Sequence, residues 1–198
     1  TTPPEGEFEI LAGGAEVGFT PSGEVTLRFV GVSDPCGPIT LEFSNDGVTY
    51  NLGAVYDANN PSIAWVLTAG DGAKTVQGRI RDGRDNVRSM SSRSITLDGT
   101  RPTVPGTLSH SSITCQGTNR TIALQWGSST DSNFRGYRVY RSVNNAPFTA
   151  LTTTSVTQAS DTHPKTLDSV RFYVVGYDRA GNESLATNTV VYAKNRCS

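Results

Sequence analysis

Long apolar runs are missing from this chain of 198 residues. None approaches the roughly 20 consecutive apolar residues that a membrane-spanning helix needs. Charge of one sign is missing as well. Lys+Arg number 17 and Asp+Glu 18, a formal net charge of −1. That balance offers no basic stripe for nucleic acid or for an anionic membrane surface. Charged residues make up only 18%, against about 25% in an average globular chain. Histidine occurs twice and cysteine three times, which narrows the catalytic options. No Gly-x-Ser-x-Gly elbow, His-Glu-x-x-His, paired Cys-x-x-Cys, EF-hand loop or Walker-type phosphate loop is present. No basic-then-apolar leader opens the chain, so Thr1 reads as a processed N-terminus or the boundary of a fragment. Helical apolar spacing never persists beyond about two turns.

Strand and turn chemistry takes its place. Thr, Val, Ser, Gly and Asn are abundant, and period-two alternation recurs along the chain. Val25, Leu27 and Phe29 share one face; Ile39, Leu41 and Phe43 share another. Ile63, Trp65 and Leu67 follow, then Val76, Gly78 and Ile80, then Ile95 and Leu97. The series resumes with Ile122, Leu124 and Trp126, then Tyr137, Val139 and Arg141, then Val170, Phe172, Val174 and Gly176, then Val190 and Tyr192. Because the apolar face of a strand is its buried face, Trp65 and Trp126 read as core. Asn45-Asp46-Gly47 reads as a tight hairpin turn, since Gly accepts the positive φ required. Asn144-Asn145-Ala146-Pro147 does the equivalent later, and Asp71-Gly72 and Asp82-Gly83 mark further turns.

The alternation breaks at Asp98-Gly99-Thr100-Arg101-Pro102-Thr103-Val104-Pro105-Gly106, where two prolines and two glycines stop any strand. Residues 1–100 and 103–198 each have the length of one Ig-type β-sandwich. The short Pro-bearing linker predicts two tandem sandwiches joined end to end. The halves are weakly repetitive. Arg79-Ile80-Arg81-Asp82-Gly83-Arg84-Asp85-Asn86 parallels Val174-Val175-Gly176-Tyr177-Asp178-Arg179-Ala180-Gly181-Asn182. Each reads as a strand followed by an Asx-type turn, placed in the hairpin joining the last two strands of its sandwich.

Residues 121–192 resemble a fibronectin type III domain of the kind found in bacterial extracellular proteins. The resemblance is carried by Ile122-Ala123-Leu124-Gln125-Trp126, by Phe134-Arg135-Gly136-Tyr137-Arg138-Val139-Tyr140-Arg141-Ser142, and by Arg171 through Ser184. Residues 24–98 resemble a bacterial Ig-like repeat, carried by Arg28 through Asp34, Leu41 through Tyr50, Trp65 through Val76 and Ser94 through Asp98. Two departures stand out. Val170 falls where a fibronectin-type tyrosine corner belongs, and Asp85 stands where the Ig-like repeat has glycine before Asn86. The resemblance implies an extracellular or cell-surface, non-enzymatic role, with no cofactor and no metal. Its partners would be a protein or polysaccharide at the cell surface, or further copies of the chain.

The chemistry-bearing residues agree with that reading. His110 and His163 read as surface loop residues. Asp82, Asp85 and Asn86, and Asp178 and Asn182, are the places where calcium would find oxygen ligands, and each set reads instead as a turn satisfying its own backbone. Glu5, Glu7 and Glu9 alternate along the first strand as a solvated guard against edge pairing. Tyr50, Tyr56, Phe134 and Phe148 lie near turns and read as rim packing. Asn119-Arg120-Thr121 and Asn182-Glu183-Ser184 fit the N-glycosylation pattern, and no Arg-Gly-Asp occurs. Sandwich topology, with the first turn and the last strand at one pole, predicts a Cys115–Cys197 disulfide. Cys36 is left as a free or intermolecular thiol. Two functions stand: a structural or interaction protein of a cell surface or secreted assembly (spacer, adhesin or filament component), and an accessory, carbohydrate-binding module of a secreted polysaccharide-degrading enzyme.

Overall fold

The structure, a computed structural model, describes residues 2–35 and 37–194. Among these the regular elements are all strands, and the fold is all-β. The chain divides into two compact units, Thr1–Thr100 and Arg101–Ser198.

The first unit contains β1 (Glu5–Leu11), β2 (Phe19–Thr20), β3 (Glu24–Ser33), β4 (Thr40–Ser44), β5 (Asn51–Val55), β6 (Ser62–Val66), β7 (Gly72–Arg81), β8 (Val87–Ser89) and β9 (Arg93–Leu97). One sheet runs β1-β3-β6; the other runs β2-β9-β7-β4-β5, with β8 also on β7. The pairs are antiparallel except β2 with β9, which is parallel. Alternation drives the assembly. Val25, Leu27 and Phe29 of β3 and Leu41 and Phe43 of β4 meet Val76 and Ile80 of β7 in one core. The packing is tight at Gly78, where a Cβ would lie 2.7 Å from Met90 Cε and 3.0 Å from the Phe43 and Phe8 rings. Trp65 and Ile63 are only half-buried, because β6 is an edge strand, whereas Leu67 just beyond it is buried.

The second unit contains β10 (Ser109–Gln116), β11 (Asn119–Gln125), β12 (Phe134–Val143), β13 (Thr149–Thr154), β14 (Gln158–Pro164), β15 (Ser169–Asp178) and β16 (Val190–Ala193). Its sheets run β10-β11-β14 and β13-β12-β15-β16. Ile122, Leu124 and Trp126 face Val139, Tyr137, Phe172 and Val174 across the sandwich. Trp126 is 6% exposed and meets the Tyr137 ring edge-on at 5.5 Å. Val170, at the tyrosine-corner position, is fully buried.

Several local expectations need correction. Asn45-Asp46-Gly47 is not a tight hairpin turn, since β4 ends at Ser44 and β5 begins at Asn51. The longer loop is organised by Asp46, whose Oδ1 accepts the Val48 and Thr49 amides at 2.8 and 2.7 Å. Those amides, the Val48 bond foremost, and the Ser44 hydroxyl hold its carboxyl down at about 2. Cys115 lies within β10 rather than in the turn that follows it, paired across to Arg120 of β11. It is not a free thiol. Cys36 and Cys197, the other two cysteines, lie outside the described residues.

Candidate interaction surfaces

The two Asx turns form as the internal repeat predicts, but the first joins β7 to β8 rather than the last two strands of its unit, since β9 follows. Asp82 Oδ1 accepts the Arg84 and Asn86 amides at 2.8 and 2.9 Å, and Oδ2 accepts Asn86 Nδ2 at 2.7 Å. Asp178 does the same with Gly181 N, Asn182 N and Asn182 Nδ2 at 2.6, 2.8 and 2.8 Å. The Asn86 side chain foremost, with the Asn86 and Arg84 amides, pulls the Asp82 carboxyl below its usual range against the opposing effect of burial. Each carboxylate thus closes its own turn. Asp85 stands at φ 65°, in the left-handed region that Gly181 fills at φ 101° in the second unit. Asp is one of the few side chains that tolerate it.

Glu7 is more than an edge guard. Its carboxylate takes Arg88 Nη2 at 3.3 Å, Arg93 Nη2 at 3.5 Å and the Ser91 amide at 2.9 Å. It therefore ties β1 to the strands of the opposite sheet. Glu9 pairs with Arg28 on the neighbouring strand.

His163 is not a surface loop residue. It sits in β14, pointing inward and 3% exposed, inside a polar network that crosses the sandwich. Arg120 of β11, fully buried, donates Nε and Nη2 to His163 Nε2 at 3.1 and 3.0 Å and Nη1 to the Ala193 carbonyl of β16 at 2.7 Å. His163 Nδ1 meets Asp161 Oδ2 at 2.8 Å, and Asp161 Oδ1 takes Arg141 Nη1 of β12 at 2.8 Å. A guanidinium has no acceptor, so Nε2 must accept and the single proton must sit on Nδ1. Burial, foremost, and the two arginines hold the imidazole below its ordinary 6.5, against the pull of Asp161. The arrangement is a neutral histidine bridging a cation and an anion, and each of its partners ties one sheet to the other. His110, by contrast, lies exposed in β10 with its ring 5.6 Å from Tyr192.

Of the aromatics singled out near turns, three are packing residues. Phe134 meets Tyr137 edge-on at 5.1 Å, Tyr56 meets Phe29 at 6.4 Å, and Tyr50 lies under the Arg79 guanidinium at 4.2 Å. Phe148 belongs to a larger group that alternation alone did not reveal. Tyr140 of β12 stands directly across from Tyr173 of β15. Their rings stack at 4.8 Å, and Phe148 leans on Tyr173 at 4.7 Å. Arg171 covers Phe148 at 5.2 Å, and Arg138 covers Tyr177 at 4.4 Å. Glu183 joins Arg138 and accepts the Tyr140 hydroxyl. These side chains occupy the outer face of the four-stranded sheet. Burial raises both the Tyr140 and Tyr173 phenols, with the Glu183 charge adding to it. Tyr140 and Tyr173 turn their faces to each other, and guanidinium groups lie over Phe148 and Tyr177. Tyr and Arg held in a packed cluster are the side chains that dominate protein contacts.

No family model matches the chain, and no curated protein matches it in sequence. Among solved structures, the FN1-FN3 domains of chicken CNTN1 match with a TM-score of 0.61 at 15% identity, covering 98% of this chain and 69% of that one. The fibronectin(III)-like modules of Clostridium thermocellum CbhA match with a TM-score of 0.53 at 14% identity, covering 94% and 93%. At these identities the likeness shows the fold: two tandem β-sandwiches of the Ig-like and fibronectin type III kind.

Proposed function

We propose that the chain is a non-catalytic structural or interaction protein of an extracellular or cell-surface assembly. In this reading residues 1–100 are an Ig-like sandwich of bacterial type, residues 103–198 are a fibronectin type III-like sandwich, and a protein is the partner. The observation that carries the reading is where the polar chemistry goes. His163, Asp161 and Arg120 bind each other inside the second sandwich, and Asp82 and Asp178 close their own turns. What faces outward on the four-stranded sheet is a Tyr–Arg cluster suited to protein contact. An exterior location is further supported by the engaged state of Cys115, since paired cysteines belong to oxidising compartments.

The accessory-module reading rests on the Phe148–Tyr173–Tyr140 row. Pull-down on insoluble polysaccharides separates the two. Retention that is lost in Tyr173→Ala would replace the protein-contact reading with carbohydrate binding. Absence of retention, together with a full-length reading frame free of any hydrolase domain, is the outcome expected here.

A further inference from the structure

Four arginines among the described residues lie over aromatic rings: Arg79 over Tyr50, Arg93 over Phe8, Arg138 over Tyr177 and Arg171 over Phe148. Three of them also hold a carboxylate: Arg79 that of Glu42, Arg93 that of Glu7 and Arg138 that of Glu183. Arg171 holds none among the described residues. Its Nη2 donates to the Ser142 hydroxyl at 3.0 Å, and its Nε is buried without a partner. Ser142 Oγ in turn donates to the Ala146 carbonyl, so it offers the guanidinium an oxygen but no charge. A cation partly withdrawn from water is normally offset by an anion. The face of Phe148 offsets only part of that cost.

The surroundings of Arg171 suit a carboxylate. It stands on β15 directly across from Ser142 of β12 and Val191 of β16, and next but one to Tyr173. Alternation puts all four side chains on the outer face of the sheet. Val191 is 53% exposed. The Tyr173 hydroxyl makes no hydrogen bond among the described residues, and burial with the Glu183 charge raises its phenol, so it stays a donor at neutral pH. A group docking here meets a guanidinium and a phenol O–H beside the apolar surface of Val191 and Phe148. A carboxylate on a short apolar stem, such as that of glutamate, matches those donors. The field of the unit favours the same sign. Residues 101–198 contain 10 Lys and Arg against 5 Asp and Glu, an excess that the near balance of the whole chain conceals and that draws anions to this unit.

We propose that Arg171 and the Tyr173 hydroxyl receive a carboxylate from an acidic segment of a partner protein. The inference rests on the reading of this face as a protein contact and names the chemistry of its partner. Arg171 Nη1 has no partner among the described residues and is the donor left for the carboxylate, while Nη2 keeps Ser142. A second copy of the chain is a poorer source of that carboxylate. The first unit holds 13 of the 18 acidic residues but engages most of them itself. Glu7, Glu9, Glu42 and Asp85 hold arginines, and Asp46 and Asp82 close their own turns.

The test is a two-dimensional NMR titration of the intact, isotope-labelled chain with an acetylated, amidated hexaglutamate peptide. The peptide should shift the Arg171 Nε–H signal and the amides of Ser142, Arg171 and Tyr173, with a dissociation constant on the order of 1 mM at low salt. Added salt should weaken the binding. Arg171→Gln should weaken it about 10-fold, the loss of one charge-assisted contact. Arg101→Gln, which removes the same charge from an exposed position in the linker, should leave it nearly unchanged. Equal weakening by the two substitutions overturns the proposal, because binding would then follow net charge alone. The absence of shifts at about 10 mM peptide overturns the acidic occupant and leaves the protein-contact reading standing. Shifts of the same signals by oligogalacturonate but not by the peptide overturn both. A chain that dimerises at low salt without peptide, and is monomeric as Arg171→Gln, overturns the separate partner in favour of a second copy.

Discussion

Acidification should weaken the second unit through His163 alone, and the effect has a definite sign. Unfolded, the imidazole titrates near its ordinary 6.5; in the fold, burial and the flanking guanidinium groups of Arg120 and Arg141 hold it lower. Above 6.5 both states are neutral and the network contributes in full. Below 6.5 the unfolded chain takes up a proton that the folded chain refuses, so stability falls as pH falls. One proton sets the limit at about 1.4 kcal/mol per pH unit, and the slope flattens once the folded imidazole protonates. Protonation also removes the Nε2 lone pair that holds Arg120, so the Ala193 carbonyl loses its anchored donor. His163→Gln is the control. An amide offers an oxygen to Arg120 and an N–H to Asp161 but does not titrate. Trp126 reports on the second unit alone when Trp65→Phe removes the other of the 2 tryptophans. Urea midpoints followed by Trp126 fluorescence from about pH 7.5 to about pH 5 should fall more steeply with His163 than with Gln. Equal slopes in the two chains, or a wild-type midpoint that rises on acidification, would refute the assignment of a neutral, Nδ1-protonated histidine.

Arg120→Met should cost the second unit about 2–5 kcal/mol, because it leaves His163 Nε2 and the Ala193 carbonyl buried without their donor while Asp161 keeps Arg141; chemical denaturation measures it, and a loss below about 1 kcal/mol would mean the network relaxes freely. Trp126→Ala should cost about 3–5 kcal/mol, enough to unfold a domain of ordinary stability, seen as loss of the second unit's dispersed amide resonances. Asp85→Val should lower the thermal midpoint of the first unit by the equivalent of about 1–2 kcal/mol, since a β-branched side chain is strained at positive φ. Asp85→Gly should leave that midpoint unchanged or higher. Non-reducing peptide mapping should recover Cys115 joined to Cys197, because Arg120, opposite Cys115, already grips Ala193 near the chain end. A Cys36–Cys115 peptide would exclude that pairing.

Period-two alternation was enough to find the two sandwiches, because the side of a strand that packs is written in every second residue. Val25, Leu27 and Phe29, or Ile122, Leu124 and Trp126, bury the face that the spacing marks. The Asx turns were legible for a similar reason: Asp and Asn bond to backbone a few residues away, so no distant partner is needed. The Arg120–His163–Asp161 network carried a weaker signal. Ala159, Asp161 and His163 alternate inward along β14, and Arg120 alternates with Ile122 and Leu124 along β11. Polarity and a neighbouring proline made the first of these look like a turn, and only the facing arginine makes burial of such groups tolerable.

The sequence by itself determined the fold class, the faces of the strands and the local turns, since each depends on residues within a few positions of one another. Only the tertiary structure decided which strands lie at free edges and which polar groups meet across the sandwich. Nothing local distinguishes β6, half-buried at a sheet edge, from a central strand of similar composition. Nor does local sequence place Tyr140 beside Tyr173, or Arg120 beside His163, because those contacts are set by sheet order and register between segments tens of residues apart.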